Sequence, residues 1–229
     1  MNTPSIIGMS FGLAAALLGD WGLSLTFPLS LIALWASFAA FIGSSAYLFN
    51  MPHFFGKEDG TLGLLPTILT LPYLLLVRGI WWTRKYLSSE ATYNEVAPNI
   101  YVGRRPLAGE LPENVSLVVD LTCEFSENRS IREGRQYVCV PTMDGSVPPD
   151  VDAFQTVMDT VVSYDGTIYI HCAYGHGRAA LMGAATLVGK GIAANTEEAY
   201  SMMKQKRPGI RPNRMQSSWL ERKVFAVQR

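Results

Sequence analysis

The chain of 229 residues carries 19 Lys and Arg against 19 Asp and Glu, with 48% hydrophobic residues and only three cysteines. A net charge of zero gives no overall electrostatic pull toward nucleic acid, so a nucleic-acid partner is set aside. Cys123, Cys139 and Cys172 are odd in number and lack C-x-x-C or Cys/His ligand spacing, which argues against a disulfide framework or a zinc site and for a reducing compartment.

The apolar residues are concentrated at the start of the chain. From Ile6 to about Trp82 the only ionised residues are Asp20, Lys57, Glu58, Asp59 and Arg78. A helix that crosses a bilayer needs roughly 20 apolar residues. Phe27 to Phe49 and Leu62 to Trp82 meet that length, whereas Ile6 to Leu18 is shorter and reads as a thin span, a re-entrant piece or a signal-peptide core. MNTPS supplies no Lys or Arg for a signal peptide, so a third span is expected. The small residues of SFAAFIGSSA suit close helix approach, and Pro66 and Pro72 predict a kink. Trp81, Trp82 and Tyr86 suit an interface, and Arg84 and Lys85 lie just past the last span. The positive-inside bias therefore predicts a multi-pass integral membrane protein, with its N-terminus outside and its C-terminal half in the cytoplasm.

The expected organisation is an all-α transmembrane region of two or three helices over 1–82, a short linker over 83–97 and an α/β domain over 98–229. Strands are predicted at 99–103, 116–122, 136–141 and 167–172, where β-branched and aromatic runs are bounded by turn residues. Helices are predicted at 149–164, 178–190, 196–206 and 213–228. Such alternation implies a mainly parallel central sheet flanked by helices. Cys123 and Cys139, within apolar runs, are read as small buried hydrophobes.

Cys172 stands apart because the stretch HCAYGHGR, His171 to Arg178, joins a strand to a helix. A loop in that position aims successive backbone N–H groups and a positive helix end at one point, which makes an anion site. Ala173, Tyr174, Gly175, His176 and Gly177 would form the cradle, and the Arg178 guanidinium matches two phosphate oxygens. The same field favours a thiolate at Cys172, so nucleophile and cradle are one loop. Asp144, in the Gly- and Pro-containing stretch MDGSVPP, is placed to give a proton to a departing oxygen. Asp150 and Asp152 fall at a helix start and are read as capping residues, and Asp120 as a support for nearby backbone.

HCAYGHGR resembles the His-Cys-x5-Arg motif of the protein tyrosine phosphatase superfamily, in particular its dual-specificity branch. The likeness runs from about Pro98 to the C-terminus: NIYVGRRP resembles the opening strand, VPTMDG the general-acid loop and RPGIRPNRMQSSWL the closing helix. It implies Cys172 as nucleophile, Arg178 as phosphate clamp, Asp144 as general acid and His171 as a residue that supports the loop. It implies no metal and no cofactor. His176 is expected in solvent or behind the loop. Ala179 departs from the Ser or Thr that many members carry, which implies slow breakdown of a phosphocysteine. The expected substrate is a phosphoprotein or a phosphorylated membrane lipid, met at the lipid bilayer. A phosphate-binding pseudophosphatase or membrane adaptor is the alternative.

Overall fold

The computed structural model describes residues 2–225. Two long apolar helices, α1 (Thr3–Ser24) and α2 (Leu29–Phe49), pair as a hairpin. At 1.5 Å per residue each is about 30 Å long, near the thickness of a bilayer core. Small residues allow the two backbones to approach. The Ser44 hydroxyl donates to the Gly8 carbonyl at 2.8 Å and the Ser37 hydroxyl to the Ala15 carbonyl at 2.6 Å. A β-carbon on Gly12 would lie 3.0 Å from Ser44 Oγ. Outward, Leu13, Leu17, Leu31 and Phe41 are exposed, leaving a broad apolar surface on the helix pair.

After α2 come a short 3-10 turn (Pro52–Phe55) and a small hairpin of β1 (Lys57–Glu58) and β2 (Thr61–Leu62). Then α3 (Leu64–Leu87) begins, with Pro72 in its interior. All three long helices are apolar and long enough to cross a membrane. The third, α3, is held to the α/β domain near both ends. The Leu62 N–H reaches Ser126 Oγ at 3.1 Å, and Trp81 Nε1 donates to the Ala173 carbonyl at 2.8 Å. The start of α1 also touches the domain, with Asn2 beside Met215 and Thr3 beside Gly145.

The expected linker is largely structured. Residues 83–87 continue α3, and β3 (Tyr93–Ala97) adds an antiparallel edge strand to β4 (Ile100–Arg104). Next come β5 (Val115–Thr122), the single turn α4 (Arg129–Arg132), β6 (Gln136–Thr142) and α5 (Val151–Ser163). The chain continues through β7 (Thr167–Cys172), α6 (Arg178–Gly189), α7 (Thr196–Lys206) and α8 (Arg214–Trp219), which runs into a π-helical turn at Leu220–Phe225. The last expected helix thus changes character at Leu220, and its final residues lie outside the described ones. Asp150 caps α5 as expected, its carboxylate accepting from the Ala153 N–H at 2.9 Å.

The sheet order is β3-β4-β7-β5-β6, parallel apart from β3. Every residue of β7 is buried, as a central parallel strand requires. Leu117, Val119 and Ile170 face the core shared with Phe154 of α5 and Leu181 of α6, while Val118 and Tyr169 face Ile131 of α4. This places Cys172 at the carboxyl end of the central strand, where an open α/β sheet presents its site.

Candidate active site

The loop between β7 and α6 is shaped by a glycine. Gly175 has φ +74°, and a β-carbon there would collide with the Gly103 carbonyl group. Its N–H donates to Cys172 Sγ at 3.2 Å, so the backbone stabilises negative charge on sulfur. Cys172 is 2% exposed.

The orientation of the cradle is set by Arg207, a residue the sequence reading did not single out. Its buried guanidinium donates to the carbonyls of Gly175 and Tyr174, each at 3.1 Å, and to the Ala91 carbonyl at 2.9 Å. Holding carbonyls outward leaves the loop N–H groups to face inward. Glu90 lies 3.2 Å from Arg207 and 2.6 Å from His176 Nε2. His176 therefore sits behind the loop, with its ring held by a carboxylate.

Arg178 opens α6 and is fully buried. Its guanidinium pairs with both oxygens of Glu124, at 3.0 and 2.8 Å, and donates to the Thr142 carbonyl at 2.8 Å. Burial by itself would raise the Glu124 carboxyl, but the Arg178 charge and hydrogen bonds, together with a backbone N–H and the Lys57 charge, hold that carboxyl below its usual range. Asp144 Oδ1 lies 3.2 Å from Arg178 with its side chain 46% exposed, so the residue expected as proton donor faces the clamp and still reaches solvent. Glu124 follows the end of β5, and the acid in TCEF just past an apolar run is its only sequence signal.

The loop that carries Asp144 is clamped from two sides. Asn213 Nδ2 donates to the Gly145 carbonyl at 2.7 Å, and Gln216 Nε2 to the Ser146 carbonyl at 2.9 Å. From the helical hairpin Asn50, the residue ending α2, donates to the Val147 carbonyl at 3.0 Å and accepts from the Ser146 hydroxyl at 2.7 Å. The α1–α2 hairpin is thus bonded directly to the loop that carries Asp144.

Beneath the site lies a buried charge cluster. Lys57 Nζ contacts Asp120 Oδ2 and donates to the carbonyl and hydroxyl of Thr122 at 2.8 and 2.7 Å. The Tyr137 hydroxyl donates to Asp120 at 2.7 Å. Asp120 supports neighbouring backbone as expected, accepting from the Thr122 N–H at 2.7 Å. His171 Nε2 stands 3.3 Å from Glu127 Oε2. Burial pushes His171 down to about 4, and burial together with the Asp120 charge pushes Glu127 up to about 7. Asp120, Glu127 and His171 bring one ligand atom each within 4.8 Å of one another, a convergence no spacing in the sequence suggested. The Lys57 ammonium already supplies a cation there. Cys123 is buried as expected, whereas Cys139 is only partly so.

These shifts predict a pH profile of stability. His171, ordinarily at 6.5, makes stability rise with pH between about 4 and 6.5, because the unfolded chain binds the extra proton there. Glu127, ordinarily at 4.5, makes it fall between 4.5 and about 7, because the folded chain binds it. The two offset, giving a near-level profile from about pH 4.5 to 6.5. Below that, Asp120 and Glu124, both held low, must take protons and stability falls. In Glu127→Gln only the His171 contribution remains, so the midpoint of thermal unfolding should climb from pH 4.5 to 6.5. A level profile in that variant would contradict the assignment.

Residues 100–223 match the family described as dual specificity phosphatase, catalytic domain. No curated protein matches the chain. Among solved structures, PTPMT1 in complex with PI(5)P aligns with TM-score 0.53 and 22% identity over 60% of this chain and 97% of that one. Tk-PTP in the active form aligns with TM-score 0.51 and 22% identity over 58% and 97%. Human tyrosine phosphatase-like serine/threonine/tyrosine-interacting protein aligns with TM-score 0.51 and 14% identity over 60% and 98%. At these identities the likeness establishes the fold.

Proposed function

This chain belongs to the dual specificity phosphatase family, and from that premise we propose a membrane-anchored enzyme that cleaves phosphate monoesters through Cys172. As a cysteine-dependent phosphatase it is a phosphoric monoester hydrolase. The observation that carries the residue assignment is the convergence of the Gly175 N–H on Cys172 Sγ with the clamping of Arg178 between Glu124 and Asp144.

In the first step the Cys172 thiolate attacks phosphorus, and the bond to the leaving oxygen breaks as Asp144 gives that oxygen a proton. Arg178 and the loop N–H groups hold the equatorial oxygens, where the charge lies. In the second step water attacks the phosphocysteine. Asp144 takes the water's proton, the P–S bond breaks, and phosphate leaves with the thiolate restored.

For the anchor, the α1–α2 hairpin enters the bilayer while α3 lies along the membrane surface, its outer face of Leu65, Leu75 and Leu76 exposed. This arrangement puts the N-terminus and the α/β domain on one side, the cytoplasmic side by the positive flank at Arg84 and Lys85. A reporter at Asn2 read on the side opposite a reporter at the C-terminal end would exclude it. The substrate is a membrane lipid monophosphate or a membrane-bound phosphoprotein.

The test of the phosphatase assignment is release of phosphate from an aryl phosphate by the purified full-length chain. Ala179, fully buried directly after Arg178, gives the pseudophosphatase alternative its one argument. With a methyl in place of a hydroxyl, thiolate departure has only the cradle and Arg178 to assist it. A burst of leaving group followed by a slow steady state is expected. Ala179→Ser should raise the steady rate several-fold, each tenfold being about 1.4 kcal/mol of barrier. Rapid-quench traces without a burst, and a variant no faster than the parent, would place the slow step at formation of the intermediate.

A further inference from the structure

Three features converge on one face of the site. A cavity of about 190 Å³ is lined by Asp144 and Glu124 together with Ile7 and Phe11 of α1 and Val77 and Ile80 of α3. Ile80 and Arg84 also line an open groove over Leu75 and Leu76, on the face of α3 that no protein covers. The two share Ile80 and Arg84, so an apolar track leads from the acid loop to the exposed face of α3. At the turn of that track stands Arg84, its guanidinium 4.6 Å over the Tyr174 ring and without an ion pair among the described residues.

We propose that this track is the binding site for the hydrocarbon chain of a lipid phosphate monoester drawn sideways from the bilayer. The inference rests on the phosphatase reading above and names its substrate class. Three physical arguments select a lipid over a phosphoprotein. An apolar cavity continuous with an exposed apolar helix face gains its favourable transfer energy from an alkyl chain. A peptide would leave its backbone N–H and C=O groups without partners along the same walls. Arg84 matches a phosphate entering from the headgroup layer, since an anion gains most from a guanidinium at the rim of an apolar site. Trp81 holds α3 on the Ala173 carbonyl, so the wall stays in register with the cradle. Membrane helices thus form half of the substrate site, and the anchor doubles as the specificity element.

The experiment uses the full-length chain in mixed micelles with dioleoyl phosphatidic acid, glycerol 3-phosphate, a phosphotyrosyl peptide and an aryl phosphate. Phosphatidic acid is expected to exceed glycerol 3-phosphate and the peptide in kcat/KM by at least about 100-fold, of the order that burial of several methylenes supplies. Ile80→Trp, at a half-exposed position that a core change would not disturb, should lower the ratio of lipid to aryl phosphate hydrolysis at least about tenfold. An activity-independent arm uses Cys172→Ser with a phosphatidic acid bearing a diazirine in its acyl chain. Labelling is expected on α1 and α3, displaced by unlabelled phosphatidic acid and not by glycerol 3-phosphate. Absence of aryl phosphate hydrolysis would sink the phosphatase assignment itself. Aryl phosphate hydrolysis with a peptide equal to the lipid, or labelling that unlabelled lipid does not displace, would overturn the lipid site alone.

Discussion

Cys172→Ser is expected to lower aryl phosphate hydrolysis by about 10⁴-fold or more, the scale on which removal of a nucleophile acts, while inorganic phosphate still binds. The sulfur sits at the end of β7 and receives the Gly175 N–H at 3.2 Å, and the cradle around it depends on Arg207 and Gly175 rather than on the thiol. A hydroxyl in the same place is a far weaker nucleophile at neutral pH, and nothing in the site is arranged to take its proton. Arg178, locked by Glu124, remains to hold the anion. Activity should persist in EDTA, because thiolate, loop amides and guanidinium together supply nucleophile and charge stabilisation. A Cys172→Ser protein retaining a tenth of the parent rate would remove Cys172 from the mechanism. Loss of parent activity in EDTA, restored by a divalent ion, would redirect attention to the Asp120, Glu127 and His171 cluster.

Lys57→Met should destabilise the folded protein by about 3–5 kcal/mol, the cost of stranding a buried charge by removal of its partner. Lys57 lies in the connection between α2 and α3, and Asp120 in the central sheet, both side chains at 0% exposure. Burial alone would lower the lysine, yet the Asp120 charge and hydrogen bond, together with the neighbouring Cys139 and Glu124, raise it and hold the ammonium protonated. Without Lys57 the carboxylate keeps only Tyr137 and Thr122. For a chain of this size the midpoint of thermal unfolding in detergent should fall by about 10 °C or more. Adding Asp120→Asn removes the stranded charge while retaining a hydrogen-bonding side chain, so most of the loss should be regained. A double variant as unstable as the single one would show that Lys57 acts by packing and not by charge.

Much of the architecture is legible in the sequence, for local reasons. The strands at 115–122, 136–142 and 167–172 are β-branched runs, and the helices at 151–163 and 196–206 carry Asp150 and Asn195 as caps. HCAYGHGR is contiguous because the proposed cradle and nucleophile share one strand-to-helix turn, so both can be read from a single stretch. The edge strand at 93–97 escapes such a reading because YNEVA owes its strand to pairing with β4 more than to its own periodicity.

What the tertiary structure alone decided are the long-range partners. Glu124 reaches Arg178 across 54 positions, Lys57 reaches Asp120 across 63, and Asn50 reaches Val147 across 97. No periodicity encodes such pairs, since a buried charge selects its partner by geometry once the chain has folded. The same limit governs the membrane helices. Hydropathy reports that a helix prefers lipid, and it reports this equally for a helix that crosses and for one bound to a domain near both ends. The bonds from Leu62 to Ser126 and from Trp81 to Ala173, which tie α3 to the α/β domain, leave no mark in its hydropathy.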